Sequence, residues 1–411
     1  MVSPILVYTL LLASVGPLAL AIPATQNPHK ARSYDMPLTW TPYGFVTEIS
    51  IGTPPQRLDV FVDWTWIGQY ILTTLCRGNS GATYSCLAKQ QTFFNQTRSF
   101  TFRNLTAHFS DLVWNPNHFY FYEDLHIDVA SDIVTVGPSS VRMTIQAADF
   151  QFDNTDMAYP FAGVYGLSPV FKGDNSSIQS PFYQAWRAGA WPEPIVAFHY
   201  CYDGCADSSK TTCGGYDGIQ TLGGYNRSLV KGDVIWYDVI DFPEVNVVDF
   251  VYSPAVYNYW TLNLTRFCLG DEEQQLNKTV GAGAVFDHAS YGRGAPMSVN
   301  AYQRLIDLSG ATPITLQNPP NNGNQSFYQI DCGKIEQLPP LKYEFLGSDK
   351  VWEVKPSNYV DDLGGGVCVL NVRTLGYGDM VIGNFGETFS KDKYIIFDFE
   401  KLKVGIADVK W

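Results

Sequence analysis

The chain has 411 residues, enough for two or three domains' worth of core. Hydrophobic residues make up 45% of it, aromatics 15% and charged residues only 16%, which excludes a disordered chain. The formal net charge of −13 argues against nucleic acid as a partner and suits work at acidic pH, where much of that charge is titrated.

The chain opens on an apolar run, Ile5 to Leu12, followed by Pro17 and the small-residue cleavage pattern Ala19-Leu20-Ala21. The run is too short to span a bilayer, so residues 1–21 read as a signal peptide. Residues 22–40 then form an N-terminal arm or short pro-segment, with Lys30-Ala31-Arg32 as a point of release. The number of cysteines is even, at eight, and N-x-S/T sequons begin at Asn95, Asn104, Asn175, Asn226, Asn263, Asn277 and Asn324. The C-terminal ADVKW carries no apolar tail for a lipid anchor. The expectation is a secreted, extracellular, disulfide-bonded glycoprotein that is a monomer and has no membrane partner.

The body reads as β-structure. FVTEISIG, LDVFVDW, HFYFYEDLHIDV, DIVTVG, SVRMTIQAADFQF, DVIWYDVI, YWTLNL, YIIFDF and KVGIADV alternate or run apolar, with Gly, Pro, Asn or Asp between them. Helical stretches are few. SPFYQAWRAGA is one, and SVNAYQRLIDLSG another, with Ser298 as N-cap and Gly310 just past the end. No strand–helix alternation suggests an α/β parallel sheet. No zinc-type cysteine spacing, P-loop or dinucleotide fingerprint stands out, so neither metal nor cofactor is expected.

One short stretch raises the functional question. LDVFVDW, Leu58 to Trp64, is a buried strand that ends on an acid, Asp63. A carboxylate there is costly to bury unless something holds it. A lone acid at a strand end is ordinarily a turn or cap residue. This one has a counterpart: GAGAVFDHASYGRGAP repeats the plan of apolar strand, acid (Asp287) and turn. Each half then closes on apolar residues before a glycine, Val164-Tyr165-Gly166 in the first and Val381-Ile382-Gly383 in the second. If the halves face each other, Asp63 and Asp287 meet in a cleft and share a proton, because two close carboxylates do not both ionise easily. One then serves as base toward water and the other as acid toward a carbonyl.

With these residues in place, the chain resembles the pepsin-like aspartic proteases over nearly its whole length after the signal. FVTEISIGTPPQRLDVFVDW is similar to the opening of the family's first lobe. YPFAGVYGLSP, YDGIQTLGGYN and VIGNFGETFSKDKYIIFDFEKLKVGIADV are similar to its apolar-glycine element, lobe crossover and ending. The resemblance implies an all-β, bilobal fold: two pseudo-symmetric β-rich lobes with a central cleft and few short helices, the lobes being residues 41–222 and 223–411. It implies Asp63 and Asp287 as the catalytic pair, Tyr120 as the flap tyrosine, Tyr70 in place of that tyrosine's tryptophan partner, and a protein or peptide substrate. It also implies the disulfide Cys332–Cys368, and Cys76 with Cys86 is expected to close a small loop in the first lobe. Cys201, Cys205, Cys213 and Cys268 then admit three pairings, of which Cys205–Cys213 with Cys201–Cys268 is the one expected.

The departures lie at the site. The family carries Asp-Thr-Gly or Asp-Ser-Gly in both lobes, where this chain has Asp63-Trp64-Thr65 and Asp287-His288-Ala289. The family's paired hydroxyls brace the aspartates across the lobes. Trp64 and His288 do not reproduce that brace, though their rings have the means to stack on each other. Thr65 and Ala289 keep the glycine's N–H and add a Cβ. Ser290 retains a hydroxyl for Asp287, and Trp66 offers none to Asp63. The flap segment FYEDLHID lacks the family's glycines. Three readings follow: a secreted acid endopeptidase, a non-catalytic cleft that binds a peptide, protein or glycan, and, as a minor third, a paired-carboxylate glycosidase.

Overall fold

The computed structural model describes residues 32–41, 44–66, 68–74, 92–109, 125–151, 161–170, 179–201, 210–240, 259–276, 282–287, 294–317, 324–372, 381–383 and 385–411. In the first half the strands are β1 (Tyr34–Thr41), β2 (Gly44–Ile51), β3 (Gln56–Asp63), β4 (Gln69–Leu72), β5 (Arg103–Phe109), β6 (Leu125–Val136), β7 (Ser139–Gln151), β8 (Gly163–Gly166), β9 (Ile195–Tyr200) and β10 (Gly218–Leu222). The second half continues with β11 (Val230–Asp238), β12 (Thr261–Leu269), β13 (Glu272–Glu273), β14 (Ala282–Val285), β15 (Thr312–Gln317), β16 (Asn324–Ile330), β17 (Leu341–Phe345) and β18 (Trp352–Val354). It ends with β19 (Val360–Asp362), β20 (Cys368–Leu370), β21 (Val381–Gly383), β22 (Lys393–Asp398) and β23 (Lys403–Val409). The helices are short: α1 (Pro181–Arg187), α2 (Val299–Ser309), α3 (Pro356–Tyr359) and α4 (Glu387–Ser390).

A 13-stranded sheet runs β11-β23-β22-β9-β10-β1-β2-β3-β8-β4-β7-β6-β5, and β2 also reaches β6. Its middle interleaves the halves, since β22 pairs with β9 and β1 lies between β10 and β2. The second lobe adds a sheet β18-β17-β12-β14-β21 and a four-stranded sheet β15-β16-β20-β19. This is the bilobal, all-β architecture the resemblance implies. Among the described residues the strand pairs are antiparallel except for β3/β8, β4/β7 and β14/β21. Two of those exceptions hold the acid-bearing strands against the glycine elements read from the sequence.

Local chemistry explains the elements. β2 buries Phe45, Ile49 and Ile51, and β3 buries Leu58, Val60 and Val62, alternate positions of one face. α2 starts where Ser298 Oγ accepts the Ala301 N–H and stops at Gly310, whose φ of 62° lies in the left-handed region. The main core is one cluster that crosses the lobes and includes Val60, Trp64, Phe198, Trp260, Phe286 and Phe397. A smaller cluster of Ile195, Ala197, Tyr394, Ile396, Ala407 and Val409 lies elsewhere on the shared sheet. Among the described residues, no helix is long and apolar enough to cross a membrane.

The cysteines require a correction. Cys332–Cys368 forms as expected, joining the start of a 3-10 turn to β20. Cys201, however, pairs with Cys213, and Cys268 is a buried free thiol. The register explains it: β9 ends at Tyr200 and pairs antiparallel with β10, which brings the chain back so that the Cys201 and Cys213 Cα atoms lie 6.2 Å apart. Cys268 lies on β12 in the second-lobe sheet, a different layer. Cys76, Cys86 and Cys205 fall outside the described residues.

Candidate active site

Asp63 is the last residue of β3, level with Gly166 on β8. A Cβ on Gly166 would lie 2.2 Å from the Trp66 carbonyl oxygen and 2.5 Å from that of Gly68, so only glycine lets the turn after Asp63 fold back this closely. That turn supplies the acid's partners. The Thr65 N–H and the Thr65 hydroxyl each donate to Asp63 Oδ1 at 2.7 Å, and the Trp66 N–H donates to the same oxygen at 3.1 Å. Burial pushes the Asp63 carboxyl above its ordinary value, and the bonds from Thr65 and Trp66 pull the other way. The hydroxyl that the sequence denies at positions 64 and 66 is thus provided by Thr65.

Asp287 is buried two residues beyond the end of β14. It is carried by the parallel pair β14/β21, where Val285 is level with Gly383 and the Phe385 N–H donates to the Val285 carbonyl at 2.8 Å. Gly386 then presses against the acid's own backbone, where a Cβ would lie 2.7 Å from the Asp287 carbonyl oxygen.

A short relay joins the two turns. The Leu167 N–H donates to the Asp63 carbonyl at 2.8 Å, and the Leu167 carbonyl accepts the Trp260 indole N–H at 2.7 Å. The Trp260 carbonyl accepts the Phe286 N–H at 2.9 Å, one residue before Asp287. The fold therefore ties the backbones of both acids together through one buried tryptophan. Sequence reading missed Trp260, because nothing local distinguishes it from the other core aromatics.

Trp64 turns into the core, with its ring 4.9 Å from Phe198 and 5.1 Å from Phe397. His288, the partner expected to stack on it, lies outside the described residues, as do Ala289, Ser290 and the flap residue Tyr120. Trp66 faces the first lobe instead. Its indole N–H donates to Gln146 Oε1 at 2.8 Å, and its ring meets Tyr70 edge-on at 5.4 Å. Tyr70 is buried on β4, level with Gln146 on β7. Gln146 and Glu387 were not read from the sequence. Glu387 is buried in α4 and its Oε2 accepts the Trp40 indole N–H at 3.4 Å, which ties β1 to the turn after Gly386. Among the described residues, two clusters have metal-ligand spacing, His199/Cys201/Cys213 and Cys332/Asp362/Cys368, but the sulfurs of both are engaged in disulfides.

Two β-rich lobes, each ending a parallel-paired strand near a buried acid, define the pepsin-like class. The model of the eukaryotic aspartyl proteases matches residues 44–409, and the chain belongs to that family. It is 56% identical to the aspartic protease-like protein pynH of Aspergillus niger, over 98% of this chain and 99% of that one. It is 55% identical to the aspartic protease-like protein pytH of Aspergillus terreus, over 95% and 96% respectively. A probable secreted aspartic protease of Arthroderma benhamiae is 45% identical over 99% of both chains.

Proposed function

We propose that the protein is a secreted acid endopeptidase in which Asp63 and Asp287 are the catalytic pair and a protein or peptide is the substrate. The observation that carries this reading is the state of Asp63: a buried carboxyl with one oxygen fixed by three donors of its own turn. Burial favours its protonated form, and the donors orient it. In the proposed reaction the ionised member of the pair takes a proton from water. The hydroxide adds to the peptide carbonyl carbon, and the protonated member gives its proton to the carbonyl oxygen. On collapse of the tetrahedral species the C–N bond breaks: the acid that took the proton from water gives it to the amine nitrogen, and its partner takes back a proton from a gem-diol hydroxyl, which restores one ionised and one protonated acid. The step needs only the shared proton and a positioned water. Tyr120, Tyr70 and Ser290 are proposed substrate-side residues. The relative from Arthroderma benhamiae, named a probable secreted aspartic protease, supports the extracellular setting.

The test is cleavage of a denatured protein between about pH 2 and 7, the span where paired carboxylates titrate, with and without pepstatin. Pepstatin-sensitive cleavage at acid pH is the expected result. Restoring the family's residues at Trp64, Thr65, His288 and Ala289 should raise the rate. A second reading, a non-catalytic cleft that binds a peptide, protein or glycan, is favoured by one observation. Trp64 is committed to the core between Phe198 and Phe397, where the family places a short hydroxyl residue. Absence of cleavage at every pH, on folded and processed protein, would select that second reading.

A further inference from the structure

We infer that Asn226, in the sequon Asn-Arg-Ser, carries an N-linked glycan, whereas Asn263, in the sequon Asn-Leu-Thr, does not; this rests on the secretion reading above. Asn226 follows the Gly223-Gly224 crossover and is exposed. Its side chain caps a three-residue 3-10 turn, Arg227–Leu229. Asn226 Oδ1 accepts the Ser228 N–H at 3.0 Å and the Ser228 hydroxyl at 2.7 Å, and the Asn226 N–H donates to the Tyr394 hydroxyl at 3.0 Å. Every polar atom the turn needs is therefore on the oxygen side of the amide or on the backbone. Nδ2, the atom that bears the sugar, makes no hydrogen bond among the described residues, so a substituent there breaks none of these contacts.

The surroundings favour a sugar. The Arg227 guanidinium lies 5.2 Å over the Tyr225 ring, and Tyr225 meets Trp236 at 6.5 Å. Tyr225, Val234 and Trp236 are half-buried at the edge of the smaller core cluster. A sugar on the neighbouring asparagine offers C–H faces to such rings and hydroxyls to water, a use of aromatic surface that has one apolar side and one wet edge.

Asn263 differs in its burial and in the partner of its sequon hydroxyl. It is half-buried on β12, a strand paired on one side with β14 and on the other with β17. The Asn263 carbonyl accepts the Leu346 N–H at 2.9 Å, and the Thr265 hydroxyl of its sequon donates to the Glu344 carbonyl at 3.0 Å rather than to the asparagine.

The modification is a glycosyl transfer. Asn226 Nδ2 attacks the anomeric carbon of a lipid-linked oligosaccharyl diphosphate. A C–N bond forms, the bond from carbon to the diphosphate oxygen breaks, the lipid diphosphate leaves, and the amide loses one proton to the transferase. The experiment is expression of the full chain in a eukaryotic secretory host, recovery from medium and cells alike, and peptide mass mapping before and after enzymatic deglycosylation. Deglycosylation converts each occupied asparagine to aspartate. Conversion is expected at Asn226 and not at Asn263. The variant Asn226→Asp keeps the capping oxygen and removes the acceptor nitrogen, so it should be recovered folded and lighter by one glycan. Secreted chain with an unmodified Asn226, or with sugar on Asn263 in its place, overturns the inference and leaves secretion standing. Chain found only inside cells without sugar overturns the secretion reading and this inference with it.

Discussion

The two acid-bearing strands end differently with respect to their acids. β3 has eight residues and Asp63 is its last, level with Gly166. β14 has four, and Asp287 stands two residues past its end. The first acid is held through its side chain, by three donors from Thr65 and Trp66. At the second, Gly386 sits against the Asp287 carbonyl. The difference teaches why the first turn tolerates so large a residue as Trp64. The contacts that orient Asp63 come from positions 65 and 66, so position 64 is released to fill the core.

The comparison can be broken in order of effect. Asp63→Asn or Asp287→Asn should each abolish acid-pH cleavage with an unchanged circular dichroism spectrum. Activity surviving in either variant would mean that the acids do not act as a pair. Gly166→Ala should come next, costing about 3 kcal/mol in a urea titration, because its Cβ meets fixed backbone. Gly386→Ala should cost about 1–2 kcal/mol, since its nearest atom is farther away, at 2.7 Å. Equal costs would erase the distinction between the turns.

Thr65→Val should cost about 2 kcal/mol by removing a hydroxyl bond to a buried carboxylate. Because that bond holds the Asp63 value down, its loss should also move an acid-side limb of activity to higher pH. The sign of the stability effect follows from the same group. The folded Asp63 binds its proton more tightly than the unfolded chain, whose ordinary value is 3.8. Its contribution is whole below that pH and is lost as pH rises through the raised folded value. The fall in melting temperature over that window should be shallower in Asp63→Asn. The smallest effect belongs to the relay: Trp260→Phe leaves an aromatic ring in place of the indole that stacks on Phe397 at 4.6 Å and leaves the Leu167 carbonyl without its donor, the lost bond costing about 1 kcal/mol.

Much of this molecule was legible in the sequence. HFYFYED lies outside the described residues, but the strand patterns that fall on described residues, the cap at Ser298, the stop at Gly310 and the bridge Cys332–Cys368 appear as the sequence predicts. So do the two glycine elements that face the acid strands. These are local features, or features whose order along the chain mirrors a doubled fold, and side-chain period and turn chemistry act over a few residues. The pairing of Cys201 was decided elsewhere, by the register of β9 on β10, which no spacing of cysteines encodes. The direction of Trp64, the indole of Trp66 on Gln146 and the tie from Trp260 to Leu167 were likewise decided by what the tertiary structure set opposite them. The sequence by itself determined that two acids end two apolar strands. Asp63 is held by donors two and three residues away, but which residue links the two acid turns depended on a contact between positions 93 apart, and only the folded chain brings those together.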